Sequence, residues 1–158
     1  MGSTLILGID PGFSGAFAVL NPTTMNLGVA DMPVVKNTKG KTELDLPALY
    51  DLLTPPTRNV TAILEFVAAR PNQGAPATFR FGQGFGAIQM ALAAHQIPVQ
   101  YVTPAKWKRH FGLSKDKGAS RGLANQRFPI NAKDFRRVKD DGRAEAALIA
   151  LYGKEKLL

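Results

Sequence analysis

The sequence of 158 residues contains no cysteine and only two histidines, His95 and His110. The lack of cysteine excludes disulfides, thiolate metal sites and cysteine nucleophiles. The N-terminal segment has no basic leader, and its apolar run, Leu5-Ile6-Leu7, is too short for a signal peptide or a membrane span. These absences predict a soluble, intracellular protein with no membrane partner.

The positive charge is concentrated in one part of the chain. The net charge is +8, yet residues 1–100 carry six basic and six acidic side chains, whereas residues 101–158 carry 14 basic and 6 acidic ones. A one-sided basic surface suits a polyanion such as nucleic acid, and a basic solvated face without a ligand is the alternative. With 45% hydrophobic residues, the length and composition predict one globular domain over residues 1–158.

The hydrophobic pattern predicts strands and helices in a mixed order. Strands are expected over 4–9, 15–20, 27–32, 60–67 and 98–102, with a mobile loop over 34–43; helices are expected over 46–53, 79–95, 104–111, 120–128 and 143–152. The helix over 79–95 is weakened in its first half by three glycines, and Gly153 is expected to end the last helix. This order predicts an α/β fold with a mixed sheet covered by helices.

Four of the twelve acidic residues stand in apolar or helix-starting positions: Asp10, Glu65, Asp141 and Glu145. A buried carboxylate is costly unless it is paired or coordinated. Mg²⁺ takes oxygen ligands, and two such ions about 4 Å apart can hold the attacking water and the leaving oxygen of a phosphodiester. The four acids therefore predict a magnesium-dependent catalytic site.

Each acid also has a structural interpretation. Asp10 precedes Pro-Gly and is typical of a turn, Glu65 could form a strand-end salt bridge, and Asp141 could cap a helix. Asp141 and Glu145 are four residues apart and share one helix face, which favours Asp141 over Asp140 as the fourth ligand.

Five segments, in order, resemble the RuvC-like Holliday junction resolvases of the RNase H-like superfamily. They are Gly8-Ile9-Asp10-Pro11-Gly12, Ile63-Leu64-Glu65, Val102-Thr103-Pro104-Ala105-Lys106-Trp107-Lys108, Ser120-Arg121-Gly122-Leu123-Ala124 and Asp141-Gly142-Arg143-Ala144-Glu145-Ala146-Ala147-Leu148. The middle segments resemble the phage and chloroplast branch. The last two acids are usually Asp and Asp, three apart, in bacterial RuvC; their spacing of four here resembles the chloroplast type.

The resemblance implies an RNase H-like fold with a five-stranded sheet, a homodimer and two Mg²⁺ ions, replaceable by Mn²⁺, held by Asp10, Glu65, Asp141 and Glu145. It implies paired symmetric nicks in four-way DNA junctions, leaving 5′-phosphate and 3′-hydroxyl ends, in recombination and repair. The expected compartment is the cytoplasm of a bacterial or phage-infected cell, or an organelle if a transit peptide has been removed.

Candidate DNA-binding residues fall into two groups. The glycine- and aromatic-rich segment 70–86 provides Phe79 and Phe81 as candidate wedges at the open junction, with Arg80 and Gln83 reaching bases or phosphates. The basic C-terminal part provides phosphate contacts: Lys106, Lys108, Lys115, Lys117, Arg121 and Arg143. Core packing is the alternative for Phe81 and Phe85, we expect Trp107 in the core, and Arg143 could instead balance the acids.

Three other functions compete with a junction resolvase. A catalytically silent subunit that binds branched DNA would keep the basic face and lose the acids, all four of which are present. An actin-like phosphotransferase also begins with Asp-Pro-Gly, but it needs a chain about twice as long. A related RNase H-like nuclease acting on flaps or RNA–DNA hybrids is the nearest enzymatic rival.

Overall fold

The computed structural model describes residues 3–157, except for the side chain of Lys117. In chain order the strands are β1 (Leu5–Asp10), β2 (Ala16–Leu20), β3 (Leu27–Asp31), β4 (Val34–Lys36), β5 (Thr42–Leu44), β6 (Val60–Glu65) and β7 (Val99–Val102). The helices are α1 (Leu46–Leu52), α2 (Ala75–Ala94), α3 (Pro104–His110), α4 (Lys117–Arg127) and α5 (Asp141–Lys156), and 3₁₀ turns cover Pro129–Phe135 and Val138–Asp140.

Five strands form one mixed sheet in the order β3-β2-β1-β6-β7, which confirms the predicted α/β architecture. The meander β1-β2-β3 is antiparallel, while β6 and β7 continue the sheet in parallel with β1. Because side chains alternate along each strand, β1 sends Ile6 into the core beneath α5 and Ile9 into a second core beneath α1 and α2. Both faces of the central strands are therefore buried.

The predicted mobile loop over 34–43 is wrong, because this segment forms the separate hairpin β4-β5. The Asn37 side chain accepts hydrogen bonds from the backbone N–H groups of Lys39 and Lys41, and Gly40 takes a positive φ of 73°. These features close a tight turn between two short strands. The polar composition suggested a loop, although the Asn and Gly also form a turn signal.

Two helices extend past glycines that sequence propensity treats as weak points. Helix α2 is continuous through Gly82, Gly84 and Gly86, and α5 continues beyond Gly153. A side chain at Gly153 would place its Cβ 2.7 Å from Ile63 Cγ1, so this glycine permits helix–sheet contact rather than ending the helix. Tertiary packing overrides intrinsic propensity at these positions.

Gly8 brings α5 directly against the central strand. A Cβ at Gly8 would lie 2.2 Å from the Ala146 carbonyl oxygen and 2.5 Å from the Ala150 nitrogen, so only glycine fits between strand and helix. Gly142 plays the same part at the start of α5, where a Cβ would lie 2.3 Å from the Ser14 carbonyl oxygen. Gly8, the first glycine of the Gly-Ile-Asp-Pro-Gly segment, thus fixes the distance between β1 and α5.

We predict that Gly8→Ala destabilises the fold by about 3 kcal/mol or more, because the added methyl group meets helix backbone that cannot rotate away. Thermal or urea unfolding measures the effect. Gly28→Ala on β3 is the matched control, since a Cβ there has no described atom within 4 Å and alanine suits a strand better than glycine. Equal stability of the two variants would contradict the close approach of α5.

Candidate metal centre

Two of the acids lie side by side at the carboxyl ends of neighbouring parallel strands. The register pairs Ile9 of β1 with Leu64 of β6, so the next residues along, Asp10 and Glu65, end their strands together. Ile6 and Ile63 pack in the core beneath α5, and alternation places the side chains of Asp10 and Glu65 toward the same helix. The two strands therefore deliver a pair of carboxylates to one edge of the sheet.

Glu145 completes the group from the second turn of α5. Carboxylate oxygens of Asp10, Glu65 and Glu145 all lie within 4.8 Å of one another, and we call these three residues the acidic triad. Glu145 reaches the strand ends because its neighbour Ala146 packs against Gly8. Close helix–strand packing and strand register together position the three acids.

Burial and mutual repulsion raise the pKa of the strand-end acids. Burial raises the pKa of Asp10 well above its usual range, and the nearby carboxylates of Glu65 and Glu145 raise it further. The pKa of Glu65 is also raised, mainly by burial, although a hydrogen bond from Trp107 opposes the shift. The site thus concentrates negative charge that needs cations close by.

Helix α3 supplies two groups that partly offset this charge. The indole N–H of Trp107 donates to Glu65 Oε2 at 2.6 Å, and Lys108 Nζ lies 3.0 Å from Glu145 Oε1. Trp107 is fully buried, which confirms the core position expected for it. The sequence prediction for Lys108 was a phosphate contact, and the structure places this lysine against the triad.

The structure does not bring Asp141 into the acidic triad. Its Oδ1 accepts from Arg121 Nε at 2.7 Å, although Asp141 lines the same cleft as Asp10 and Glu145. Asp140 is buried and paired with Arg137, whose hydrogen bonds lower the pKa of Asp140. Asp140 is therefore committed to a structural ion pair, and Asp141 as the fourth ligand stays a prediction.

Arg143 is paired with acids outside the triad. Its guanidinium forms two hydrogen bonds with Asp31, at 2.7 and 2.8 Å, and lies 4.0 Å from carboxylate oxygens of Asp134 and Asp140. Arg143 therefore balances acids other than the proposed ligands Asp141 and Glu145, between which it stands in the sequence. It also joins the start of α5 to the end of β3.

The remaining candidate DNA contacts occupy different surroundings. Lys106 and Lys115 are exposed, Arg121 is engaged by Asp141, and the side chain of Lys117 lies outside the described residues. Phe79 and Gln83 are exposed on α2, with Phe79 at 67% of its full exposure. Arg80 donates a hydrogen bond to the Thr42 carbonyl oxygen and lies over the Phe13 ring at 5.1 Å.

Sequence reasoning missed three residues at or behind the site. Arg70 and Lys139 line the cleft with Asp10 and Glu145, and Trp107 orients Glu65 from behind. Arg70 follows Glu65 by five residues, yet its position in a loop gave no spacing rule to place it. The signal for Trp107 was available, because a buried indole N–H requires an acceptor.

The donor set fits a hard divalent cation. Three carboxylates converge without cysteine or histidine among the ligating atoms, which suits Mg²⁺ or Mn²⁺. The raised pKa values of Asp10 and Glu65 show that these acids are only partly compensated by Lys108 and Trp107. Asp10, Glu65 and Glu145 are therefore the residues that would hold the ion.

Structural comparison places the fold among known proteins. The chain is similar to T. thermophilus RuvC in complex with a Holliday junction substrate, with 17% identity, 96% of each chain covered and a TM-score of 0.59. A second *Thermus thermophilus* RuvC structure matches at 20% identity, covering 94% of this chain and 95% of that one, with a TM-score of 0.56. The yeast mitochondrial Holliday junction resolvase Ydc2 matches at 17% identity over 95% of this chain and 78% of that one, with a TM-score of 0.56.

Sequence comparison finds no matching family model and no matching curated protein. The structural matches cover nearly the whole chain, and together with the mixed five-stranded sheet they define an RNase H-like fold. Within that class, the fold is similar to those of RuvC and Ydc2.

We predict that Asp10→Asn stabilises the metal-free protein at pH 7, because it removes a carboxylate whose pKa burial has raised. It should also abolish the rise in Tm that Mg²⁺ or Mn²⁺ gives the unmodified protein.

A raised folded-state pKa means that the contribution of the group to stability is present at low pH and is lost as pH rises through that pKa. Metal-free protein should therefore lose stability above about pH 4, less so in Asp10→Asn.

Differential scanning fluorimetry between pH 4 and 8, with and without metal, measures both effects. Glu155→Gln is the control, because Glu155 pairs with His110 and Arg127 at the other end of α5 and should leave the metal response intact. An unchanged metal response in Asp10→Asn would contradict the site.

We predict that Trp107→Phe weakens Mn²⁺ affinity about tenfold, because Glu65 loses the donor that fixes its orientation. Isothermal titration calorimetry on folded protein measures this directly. Phe135→Leu is the control, since Phe135 is a fully buried aromatic in the same core and should reduce stability without changing affinity. Equal affinity in both variants would show that Trp107 only fills space.

Proposed function

We propose that this protein is a divalent-metal-dependent endonuclease that resolves four-way DNA junctions. The observation that carries the proposal is the acidic triad, two of whose members, Asp10 and Glu145, line one cleft together with Arg70 and Lys139. Carboxylates for a cation and basic side chains for a phosphate, in one cleft of about 460 Å³, fit phosphodiester hydrolysis. A catalytically silent DNA-binding subunit would have no need for three mutually repelling acids, one of them buried, at one edge of the sheet.

The chemistry that bound Mg²⁺ or Mn²⁺ supplies is activation of water and stabilisation of the leaving oxygen. The chain's own residues hold and orient the reactants: Asp10, Glu65 and Glu145 would bind the cation, and Trp107 fixes Glu65. Arg70 and Lys139 attract the phosphodiester. Water oxygen bonds to phosphorus, the bond to the 3′ oxygen breaks, and that oxygen gains a proton, which leaves 5′-phosphate and 3′-hydroxyl ends.

Branched DNA is proposed as the substrate from the structural neighbours and the surface. One neighbour is bound to a Holliday junction substrate, and another is described as a Holliday junction resolvase. The strongly exposed Phe79 suits stacking on an unpaired base, and the exposed Lys106 and Lys115 suit phosphate contacts. The finer assignment to the phage and chloroplast branch remains a prediction.

A homodimer would match the two-fold symmetry of a four-way junction and allow paired nicks. Its proposed interface includes the exposed aromatic side chains of Phe66 and Tyr101, which meet edge to face at 6.0 Å beside Phe85. Exposed apolar patches of this kind mark association sites.

Within residues 3–157 no helix is long and apolar enough to cross a membrane. The compartment, either the cytoplasm of a bacterial or phage-infected cell or an organelle, stays a prediction from the family resemblance.

We predict that the protein introduces paired, symmetric nicks into a labelled synthetic four-way junction in Mg²⁺ and leaves duplex, flap and RNA–DNA hybrid controls uncut. Asp10→Asn should bind the junction as well as the unmodified protein and fail to cut it, because binding depends on basic groups and cutting on the cation. Denaturing electrophoresis resolves the products, and ligation of the nicked strands tests their ends.

Asp141→Asn distinguishes a fourth ligand from a structural partner of Arg121. Loss of cutting with retained fold and binding would support the ligand role, and full cutting would limit the site to the triad. Binding without cleavage by the unmodified protein in both Mg²⁺ and Mn²⁺ would refute the proposed function.

A further inference from the structure

A cavity of about 240 Å³ lies beside the catalytic cleft, between α2, the hairpin β4-β5 and the turn after β1. Its walls are mainly aromatic and aliphatic, and two polar side chains, those of Gln73 and Arg80, also line it. The lining includes Phe13, Leu44, Gln73, Arg80, Phe81 and Phe85. This cavity has no part in holding the acidic triad.

The cavity and the cleft share one wall. Gly12 and Phe13, which follow Asp10 in the chain, line both spaces. A DNA strand whose phosphate lies against the triad would therefore bring its neighbouring nucleotide close to the cavity mouth. Because the cavity lies next to the catalytic cleft, the ligand that it favours is part of a nucleotide of the bound DNA strand.

We propose that this cavity takes one unstacked nucleobase next to the scissile phosphate and so determines the cleavage sequence. The inference rests on the proposed function. Aromatic side chains offer faces for stacking on any base, while hydrogen-bond donors at the edge of a pocket distinguish one base from another. Phe13, Phe81 and Phe85 provide the first property, and Arg80 and Gln73 provide the second.

The walls are held in place before any ligand binds. Arg80 donates to the Thr42 carbonyl oxygen of the hairpin and lies over the Phe13 ring, so it ties three elements together around the cavity. Phe81 and Phe85 stack with their ring centroids 6.4 Å apart. A preformed pocket loses less conformational freedom when a base enters.

Gly84 keeps the cavity open. A Cβ at this position would point into it, 3.4 Å from Leu44 Cδ1 and 3.8 Å from Phe13 Cε1, which is ordinary contact. Gly82 lies on the same helix, and a Cβ there meets no described atom within 4 Å. The helix thus offers one glycine whose substitution fills the cavity and a second whose substitution leaves it open.

The test uses four-way junctions with 2-aminopurine, which fluoresces when it is unstacked, at each position near the crossover in turn. Unmodified protein, Gly84→Leu, Gly84→Ala and the control Gly82→Leu are compared in EDTA, where no cutting occurs. We expect a fluorescence change at one position for the unmodified protein and Gly82→Leu, a smaller change for Gly84→Ala, and its loss in Gly84→Leu. Gly84→Ala adds a single methyl group and keeps the comparison valid should Gly84→Leu fail to fold.

Cleavage in Mg²⁺ supplies the second measurement. Junctions that differ at the same position should be cut at rates that differ about tenfold by the unmodified protein, and the difference should shrink in the Gly84 variants. No signal at any position, or a signal and preference that survive in both Gly84 variants, would overturn the proposal. A changed oligomeric state in Gly84→Leu, with no effect on fluorescence, would assign the cavity to a second copy of the chain and also overturn it.

The two proposals fail separately. Normal junction cutting without a Gly84-dependent signal removes the base pocket and leaves the resolvase. A Gly84-dependent signal without cutting in Mg²⁺ or Mn²⁺ leaves the pocket and removes the nuclease. Absence of any junction binding overturns both.

Discussion

Repulsion among three carboxylates governs the structure around the site. Asp10, Glu65 and Glu145 lie within 4.8 Å of one another, and the pKa values of the two strand-end acids are raised. Carboxylates in such surroundings destabilise the fold unless cations or donors offset them. Lys108 and Trp107 offset part of this cost from α3. A divalent cation is the natural remaining partner. The repulsion that destabilises the metal-free protein is therefore also what favours cation binding in the proposed activity.

The backbone holds these acids together through contacts that leave no space for adjustment. Gly8 lets α5 lie directly on β1, and the parallel register of β1 and β6 aligns the two strand ends. The inner face of α5 is rich in alanine, which lets the helix remain close to the sheet along its length. The geometry of the triad is therefore a consequence of core packing, and stability and cation binding are coupled through the same residues.

Much of the fold could be predicted from the sequence, because alternating strands and breaker residues mark β1, β2, β3, β6 and β7. The limits of α2 and the hairpin β4-β5 could not, since tertiary packing around Gly84 and a side-chain turn at Asn37 override local propensity. Asp10, Glu65 and Glu145 were predicted because acids in apolar surroundings need partners. Asp141 was chosen by helix spacing, which cannot show that Arg121 engages its carboxylate. Arg70 and Lys139 come from loop and turn segments, for which sequence offers no rule of spatial proximity.

The central claim is that the acidic triad binds a divalent cation. A crystal structure of the protein soaked in Mn²⁺, with anomalous differences recorded near the manganese edge, tests this most directly. The account predicts an anomalous peak in contact with the carboxylates of Asp10, Glu65 and Glu145, with Lys108 moved away from Glu145. A site that stays without a peak at saturating Mn²⁺, or a peak only at other acids, would contradict it.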